Sequence, residues 1–245
     1  MLKNIKTTLV LLGIVLGVLL RIIYAKKYLP YRDSILYVEM ANQARNNDFW
    51  YPFTESNNED LPPLLHLFLG GIGRIGGDIW FWGNFIMLVF FALTAYGLFL
   101  CGDLLFPKIL FSGLIPVFLF ATNPFFIEIG SNIMRDNIYY CITVYALYSG
   151  LKIQKKTNEI IWLFSYGLLS SLGILCRKEG FELVIVFLLW CLYEFVNGKR
   201  SKNRVLFYAL VVIIVLITTL ILFSCSFKHN YPFSIFIKRM NMKIT

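Results

Sequence analysis

The chain is short of charge, shorter still of acid and nearly without histidine, and each shortage removes a class of protein. Charged residues make up 15% of its 245 residues, against about 25% in a soluble globular domain. That deficit argues against an ordinary water-soluble enzyme. The two histidines, His66 and His229, have no metal-ligand partners at useful spacing, which argues against a metal centre built on them. Cys101, Cys141, Cys176, Cys191 and Cys225 are scattered without a C-x-x-C pair and read as small buried apolar groups. No Asn-x-Ser/Thr acceptor occurs. The apolar runs are continuous and not alternating, so a transmembrane β-barrel is excluded.

What is present is apolar: 58% of the chain. Runs of about 20 residues recur along its length, the number a helix needs to cross a bilayer. The fold class is therefore all-α, a polytopic transmembrane helical bundle. About seven spans are expected, near 7–24, 79–100, 108–127, 135–151, 160–176, 180–196 and 205–225. The first has Lys3 and Lys6 before it but no good cleavage site after it, and reads as an uncleaved signal-anchor.

The net charge of +9 lies in short loops and not on a basic stripe interleaved with aromatics. It therefore implies no nucleic acid. With the N-terminus inside, the clusters Lys152, Lys155, Lys156 and Lys199, Arg200, Lys202, Arg204 both fall inside, as the positive-inside rule requires. Asp33, Glu39, Asp48, Glu55, Glu59 and Asp60 then fall in the first outer loop, residues 25–63. Within that loop Asp33 to Ala44 forms an amphipathic helix, with Leu36, Tyr37, Met40, Ala41 and Ala44 on one face, expected to lie along the membrane surface. Leu64 to Ile75 is too short and Gly-rich for a crossing and reads as an interfacial or re-entrant helix. Its Gly71-Ile-Gly73-Arg-Ile-Gly76 fits the dinucleotide fingerprint in letters only. No strand precedes it, so it reads as a close-packed helix end. Asn123-Pro124 reads as the exit of the third span.

The same topology places Glu128, Arg135, Asp136, Arg177, Lys178 and Glu179 on the side of Asp33. Taken singly, each has a plain structural reading. Asp33 can complement a helix dipole, Arg135 and Asp136 can form a local ion pair, and Arg177 to Glu179 can be a solvated turn. Their shared side makes the joint reading chemical. A carboxylate can take a proton from a hydroxyl, and Arg or Lys can hold a phosphate. Together they suit transfer of a sugar from a lipid phosphate to a hydroxyl. Charges at one face, and not at mid-membrane, argue against a small-solute transporter.

Four passages carry a resemblance. They are Arg32-Asp33-Ser-Ile-Leu-Tyr37-Val-Glu-Met-Ala41; Pro62-Pro63-Leu-Leu-His66 with Gly76-Gly77-Asp78; Ser131-Asn-Ile-Met-Arg135-Asp136-Asn-Ile-Tyr139; and Gly173-Ile-Leu-Cys-Arg177-Lys-Glu179-Gly180. In this order and topology the chain resembles, over roughly residues 5–225, the N-terminal half of the membrane-embedded C-type glycosyltransferases. The similarity is to the family 39-like group, which includes protein O-mannosyltransferases, the lipid A aminoarabinose transferase and Rgt-like bacterial enzymes.

The resemblance implies Asp33 as catalytic base, Asp136 as a second active-site acid, and Arg177 or Lys178 near the lipid phosphate. Tyr37, His66, Arg135 and Glu179 complete the implied substrate-binding set. It also implies a polyprenyl-phosphate-linked sugar donor, a glycan, lipid or protein acceptor, membrane lipids as surroundings, and inversion by single displacement. The implied location is the plasma (inner) membrane with the site facing outward. No cofactor is named, and participation of a divalent metal stays open. Ser34 stands where many members carry a second acid. The family usually has eleven or more spans, so residues 1–227 read as a transmembrane glycosyltransferase-like domain and 228–245 as an outer-side tail of a chain that stops short. The second reading is accordingly an inactive remnant or a non-catalytic accessory subunit.

Overall fold

The computed structural model describes residues 2–47, 64–156, 158–198 and 200–225. Asp48, Glu55, Glu59, Asp60, Pro62, Pro63, His229 and the tail lie outside them. Among the described residues ten α-helices follow one another, with no strand: α1 Leu2–Lys27, α2 Arg32–Asn46, α3 Leu64–Ile75, α4 Ile79–Leu105, α5 Leu114–Thr122, α6 Pro124–Gly130, α7 Arg135–Gln154, α8 Glu159–Cys176, α9 Phe181–Val196 and α10 Lys202–Cys225. A 3₁₀ turn, Lys178–Gly180, joins α8 to α9. The fold is a polytopic helical bundle. Among the described residues four stretches are long and apolar enough to cross a bilayer: Ile5–Lys27, Ile79–Leu105, Glu159–Cys176 and Lys202–Thr219. Helix α7 has the length but carries Arg135, Asp136, Asn137 and Lys152, and α9 has 16 residues. Large apolar side chains such as Leu12, Leu19, Ile185, Val186, Leu189 and Ile214 point outward, as lipid contact demands.

Helix α4 divides two cores. On one side Phe91 and Ala95 meet Val117, Phe120 and Ala121 of α5. On the other, Ile86 and Met87 join a larger core with Tyr37, Leu69, Ile138, Leu163, Phe187 and Tyr208. Helix α8 packs between α7 and α10.

The span expected at 108–127 is not one helix. Residues 106–113 form turns, α5 starts at Leu114, and the chain breaks at Asn123 and restarts as α6. Pro124 has no N–H for the carbonyl of Phe120. Phe125 N–H donates to Asn123 Oδ1 at 2.9 Å and not to Ala121. Asn123-Pro124 thus ends one helix and also caps the next. Both stranded carbonyls are taken by Arg21 of α1, which donates to Ala121 O and Phe120 O, each at 3.4 Å, and to Phe126 O and Gly17 O, each at 3.0 Å. Its guanidinium carbon sits 3.6 Å from the centre of the Phe91 ring. Arg21 is 1% exposed, and no carboxylate pairs with it among the described residues.

Helix α2 covers the expected stretch, and its buried residues are Ser34, Tyr37, Val38, Met40, Ala41 and Ala44. Leu36, expected on that face, is only half-buried. The face does not lie on lipid, as the sequence suggested, because α3 covers it. A Cβ on Gly70 would stand 2.8 Å from Ala44 Cβ and 3.2 Å from Ala41 O. The glycine pattern of α3 is therefore a close-packing surface. The helix has 12 residues, about 18 Å at 1.5 Å per residue, too short to span. It stops where Gly76 and Gly77 take φ of +130° and +92°, backbone that favours glycine. Asp78 then caps α4 by accepting from the N–H groups of Trp80 and Phe81, each at 3.2 Å.

Candidate functional site

The two ends of the bundle differ chemically. At one end Lys6 pairs with Asp103 at 3.2 Å and Lys155 donates to Leu104 O at 2.7 Å. There Arg200, 6% exposed, joins Glu159 at 3.1 Å, Glu194 at 3.3 Å, the Ile153 carbonyl at 2.7 Å and Tyr208. This end ties loops together through Lys6, Lys155 and Arg200.

The opposite end holds the sequence candidates. The α1–α2 link and the α6–α7 turn lock to each other: Tyr31 N–H donates to Asn132 Oδ1 at 3.0 Å, and the Tyr31 hydroxyl donates to Glu128. Asn132 Nδ2 donates to Glu128 O at 2.8 Å, and Asn137 Nδ2 to Ile129 O and Asn132 O, each at 3.2 Å. Sequence reasoning did not single out Asn132 and Asn137. Their signal was available: both are buried amides in an apolar chain, where polar groups need a purpose.

The turn fixes the first residues of α7. Arg135 and Asp136 do not pair with each other. Asp136 pairs with Arg177, which also donates through Nε to Glu179 Oε2 at 3.1 Å. The geometry of Arg177 comes from Gly180. A Cβ there would lie 2.2 Å from the carbonyl carbon of Gly173, so the turn can close flat on the end of α8. Gly180 N–H reaches Arg177 O at 2.9 Å and Arg177 N–H reaches Gly173 O at 2.8 Å. Desolvation works against the Arg177 charge, but Asp136 and Glu179 outweigh it and raise its pKa. Burial works against the Glu179 carboxylate, while its own backbone N–H and Arg177 lower its pKa on balance.

Tyr37 connects α2 to this group. It is 2% exposed, and burial raises its hydroxyl pKa to about 12; Arg135 opposes that shift, and Asp33, Asp136 and Cys176 add to it. The phenol thus stays protonated and feels groups from α2, α7 and α8 at once. Cys176 donates to Arg135 O at 3.3 Å, closing α8 against α7. Asp33, in the first turn of α2, is exposed, and no described residue pairs with its carboxylate. Arg135 is half-buried and Lys178 exposed, and neither has an ion-pair partner among the described residues.

The structure therefore brings Asp33, Tyr37, Arg135, Asp136, Arg177, Lys178 and Glu179 to one end. His66 is sealed at 0% exposure. Burial lowers its pKa to about 3, so it is a neutral part of the packed interior and presents no open surface. Among the described residues no three His, Cys, Asp or Glu side chains gather as a metal-binding group.

No curated protein and no solved structure matches the chain. The family profile described as dolichyl-phosphate-mannose-protein mannosyltransferase matches residues 60–223. That segment contains α3 to α9 and most of α10, and with them Arg135, Asp136 and the Arg177–Glu179 turn; Asp33 and Tyr37 precede it. An integral membrane bundle, a polar cluster at one end and a match over well over half of the chain lead to one assignment: the chain belongs to the dolichyl-phosphate-mannose-protein mannosyltransferase family of membrane glycosyltransferases.

Proposed function

We propose that the protein transfers a sugar from a polyprenyl-phosphate donor to an acceptor hydroxyl on the non-cytoplasmic face of the plasma (inner) membrane, with Asp33 as base. One observation carries the assignment of roles: among the described residues the charged groups at this end divide into those that form ion pairs and those that do not. Asp136 and Glu179 are both held by Arg177, whereas Asp33, Arg135 and Lys178 have no ion-pair partner among the described residues. The Asp136 carboxylate is already occupied by Arg177 and the Asp33 carboxylate is exposed, so the base is Asp33 and not Asp136. An arginine already forked between two carboxylates has little left for a phosphate, so Arg135 and Lys178 take that part. Arg177 with Asp136 then acts as a brace that positions Arg135.

The acceptor O–H gives its proton to Asp33 as the oxygen attacks the anomeric carbon. The bond from that carbon to the lipid phosphate oxygen breaks on the opposite face, with inversion. The electron pair stays on the phosphate, whose charge Arg135 and Lys178 hold. Tyr37, protonated and buried beneath them, keeps α2 in register with α7.

The test is transfer from dolichyl- and undecaprenyl-phosphate sugars in membranes carrying the full chain. Asp33→Asn removes the base and should lower the rate by about 10²–10⁴-fold, while Arg135→Gln and Lys178→Gln should raise the donor KM. Undiminished transfer by Asp33→Asn would remove Asp33 from the mechanism.

A further inference from the structure

The ion network of Arg200 lies at the end of the bundle that the transfer chemistry does not use. Its partners nevertheless stand on the two helices that carry the Arg177–Glu179 turn. Helices α8 and α9 form a hairpin whose tip is the Lys178–Gly180 turn. Its open end lies about 24–27 Å away, 16 and 18 residues at about 1.5 Å each. Arg200 clasps that open end. Nη1 donates to Glu159 Oε1 at 3.1 Å, at the start of α8, and Nε to Glu194 Oε2 at 3.3 Å, near the end of α9. Nη2 holds Ile153 O of α7 at 2.7 Å, and the guanidinium carbon lies 5.6 Å from the centre of the Trp190 ring. The three charged side chains are sealed or nearly so, at 2% for Arg200, 6% for Glu194 and 14% for Glu159. We propose that this clasp is a positioning device for the reaction at the other end: by fixing the direction of α9 it keeps Lys178 and Arg177 in register with α7. The inference rests on the glycosyltransferase reading given above.

A buried ion pair is weak evidence for stability, because apolar residues of similar volume often serve as well. It does fix geometry, and α9 needs that. The helix buries one narrow stripe, Leu183, Phe187, Cys191 and Glu194, while Ile185, Val186, Leu189, Leu192 and Val196 point outward. Lipid is as apolar as these side chains, so no hydrophobic drive holds the stripe in place. Polar ties hold it instead. Near the start of α9 the Tyr166 hydroxyl of α8 donates to Leu183 O at 2.7 Å, and Gly180 lies flat on Gly173. These contacts make a pivot. Glu194 lies about three helical turns further on, and its bond to Arg200 supplies the second point that fixes the direction of a rod. Without it α9 swings about Leu183, and a turn of three residues has no slack to absorb the movement. Lys178 stands in that turn, and Arg177 stands at its entrance, bonded to Asp136. Arg200 touches no reacting atom and acts through these two.

The experiment uses the full chain in nanodiscs and reads transfer and structure separately. Arg200→Met with Glu194→Leu removes the clasp and strands no carboxylate, because Glu159 keeps the Tyr208 hydroxyl and Arg204, the latter at 3.6 Å. The double variant should therefore fold. Its donor KM should rise about tenfold with kcat little changed, since a displaced Lys178 holds the phosphate less well before and during reaction. Hydrogen exchange reports the same displacement without reference to activity. The Arg177 and Gly180 amides, bonded to Gly173 O and Arg177 O, should exchange about tenfold faster, while those of α4 from Phe91 to Ala95 keep the wild-type rate. Glu194→Gln keeps an acceptor for Arg200 Nε and should leave both readouts at wild type. Should the double variant fail to fold, Glu194→Leu alone gives the same readouts, because Arg200 then keeps Glu159, Tyr208 and Ile153 O. A chain without transfer activity would still show the exchange effect, so failure of the transferase reading and failure of this one are told apart. Faster exchange confined to residues 153–159 and 194–198, with Arg177 and Gly180 unchanged, would overturn the proposal, as would an unchanged donor KM in an active double variant.

Discussion

Asp136 is the residue on which the local electrostatics turn. It is 14% exposed at its side chain and its partner Arg177 26%, so the pair is neither a surface contact nor a sealed one. Surface pairs contribute about 0–1 kcal/mol, and breaking a buried one costs about 3–5 kcal/mol; this pair belongs between. A double-mutant cycle of Asp136→Asn and Arg177→Met should give a coupling of about 1–3 kcal/mol in thermal unfolding. Because Arg177 also holds Glu179, Arg177→Met should cost more than Asp136→Asn. In the transfer assay each single change should act through donor affinity, since it loosens Arg135, and a pure loss of kcat without change in KM would contradict the bracing role. This partner choice was not legible in the sequence. Arg135 adjoins Asp136 and invites pairing, but the two side chains leave α7 about 100° apart, and Arg177 arrives from another helix. The position of Asp33 at this end was legible, because an acidic group beside a membrane helix stands out against apolar neighbours.

Helix α5–α6 shows where reading by element succeeds and where it stops. A hydropathy run reports that residues 108–127 are apolar and cannot report that proline restarts a helix as readily as it ends one. Nor can it show that Arg21, some 100 residues earlier, supplies the N–H groups the break removes. Elements whose ends are written locally fared better. Helix α3 runs Leu64–Ile75 as expected because glycines of positive φ close it, and the α2 face followed from its spacing, although its cover by α3 needed tertiary contact. The Arg21 reading has a direct consequence. Arg21→Met keeps the stem and removes every donor. Relief of burying a cation offsets part of the loss, but two or more carbonyls are stranded at about 1–3 kcal/mol each. The expected net destabilisation is about 1–3 kcal/mol, seen as a lower unfolding midpoint in detergent, with Arg21→Lys intermediate. An unchanged midpoint for Arg21→Met would mean that Pro124 holds the kink unaided.

For the whole molecule the decisive property is sidedness. The Lys-rich loops and the ion network of Arg200 gather at one end, and Asp33, Arg135 and Lys178 at the other. The chemical proposal needs the second end to face out, which the positive-inside rule favours, since cations in short loops resist translocation. The native thiols Cys101, Cys141, Cys176 and Cys191 are buried, so with Cys225→Ser the background should be silent to a membrane-impermeant thiol reagent. In intact cells Asp33→Cys and Lys178→Cys, both at exposed positions, should label. Lys108→Cys and Lys156→Cys, exposed at the other end, should label only after permeabilisation. Labelling of 33 and 178 only after permeabilisation, with 108 and 156 labelled in intact cells, would place the site on the cytoplasmic side and reverse the donor pool it draws on. Labelling of 33 and 178 from opposite sides would be fatal to the mechanism, because the base and the phosphate-holding cation would then be separated by the hydrocarbon core, about 30 Å thick.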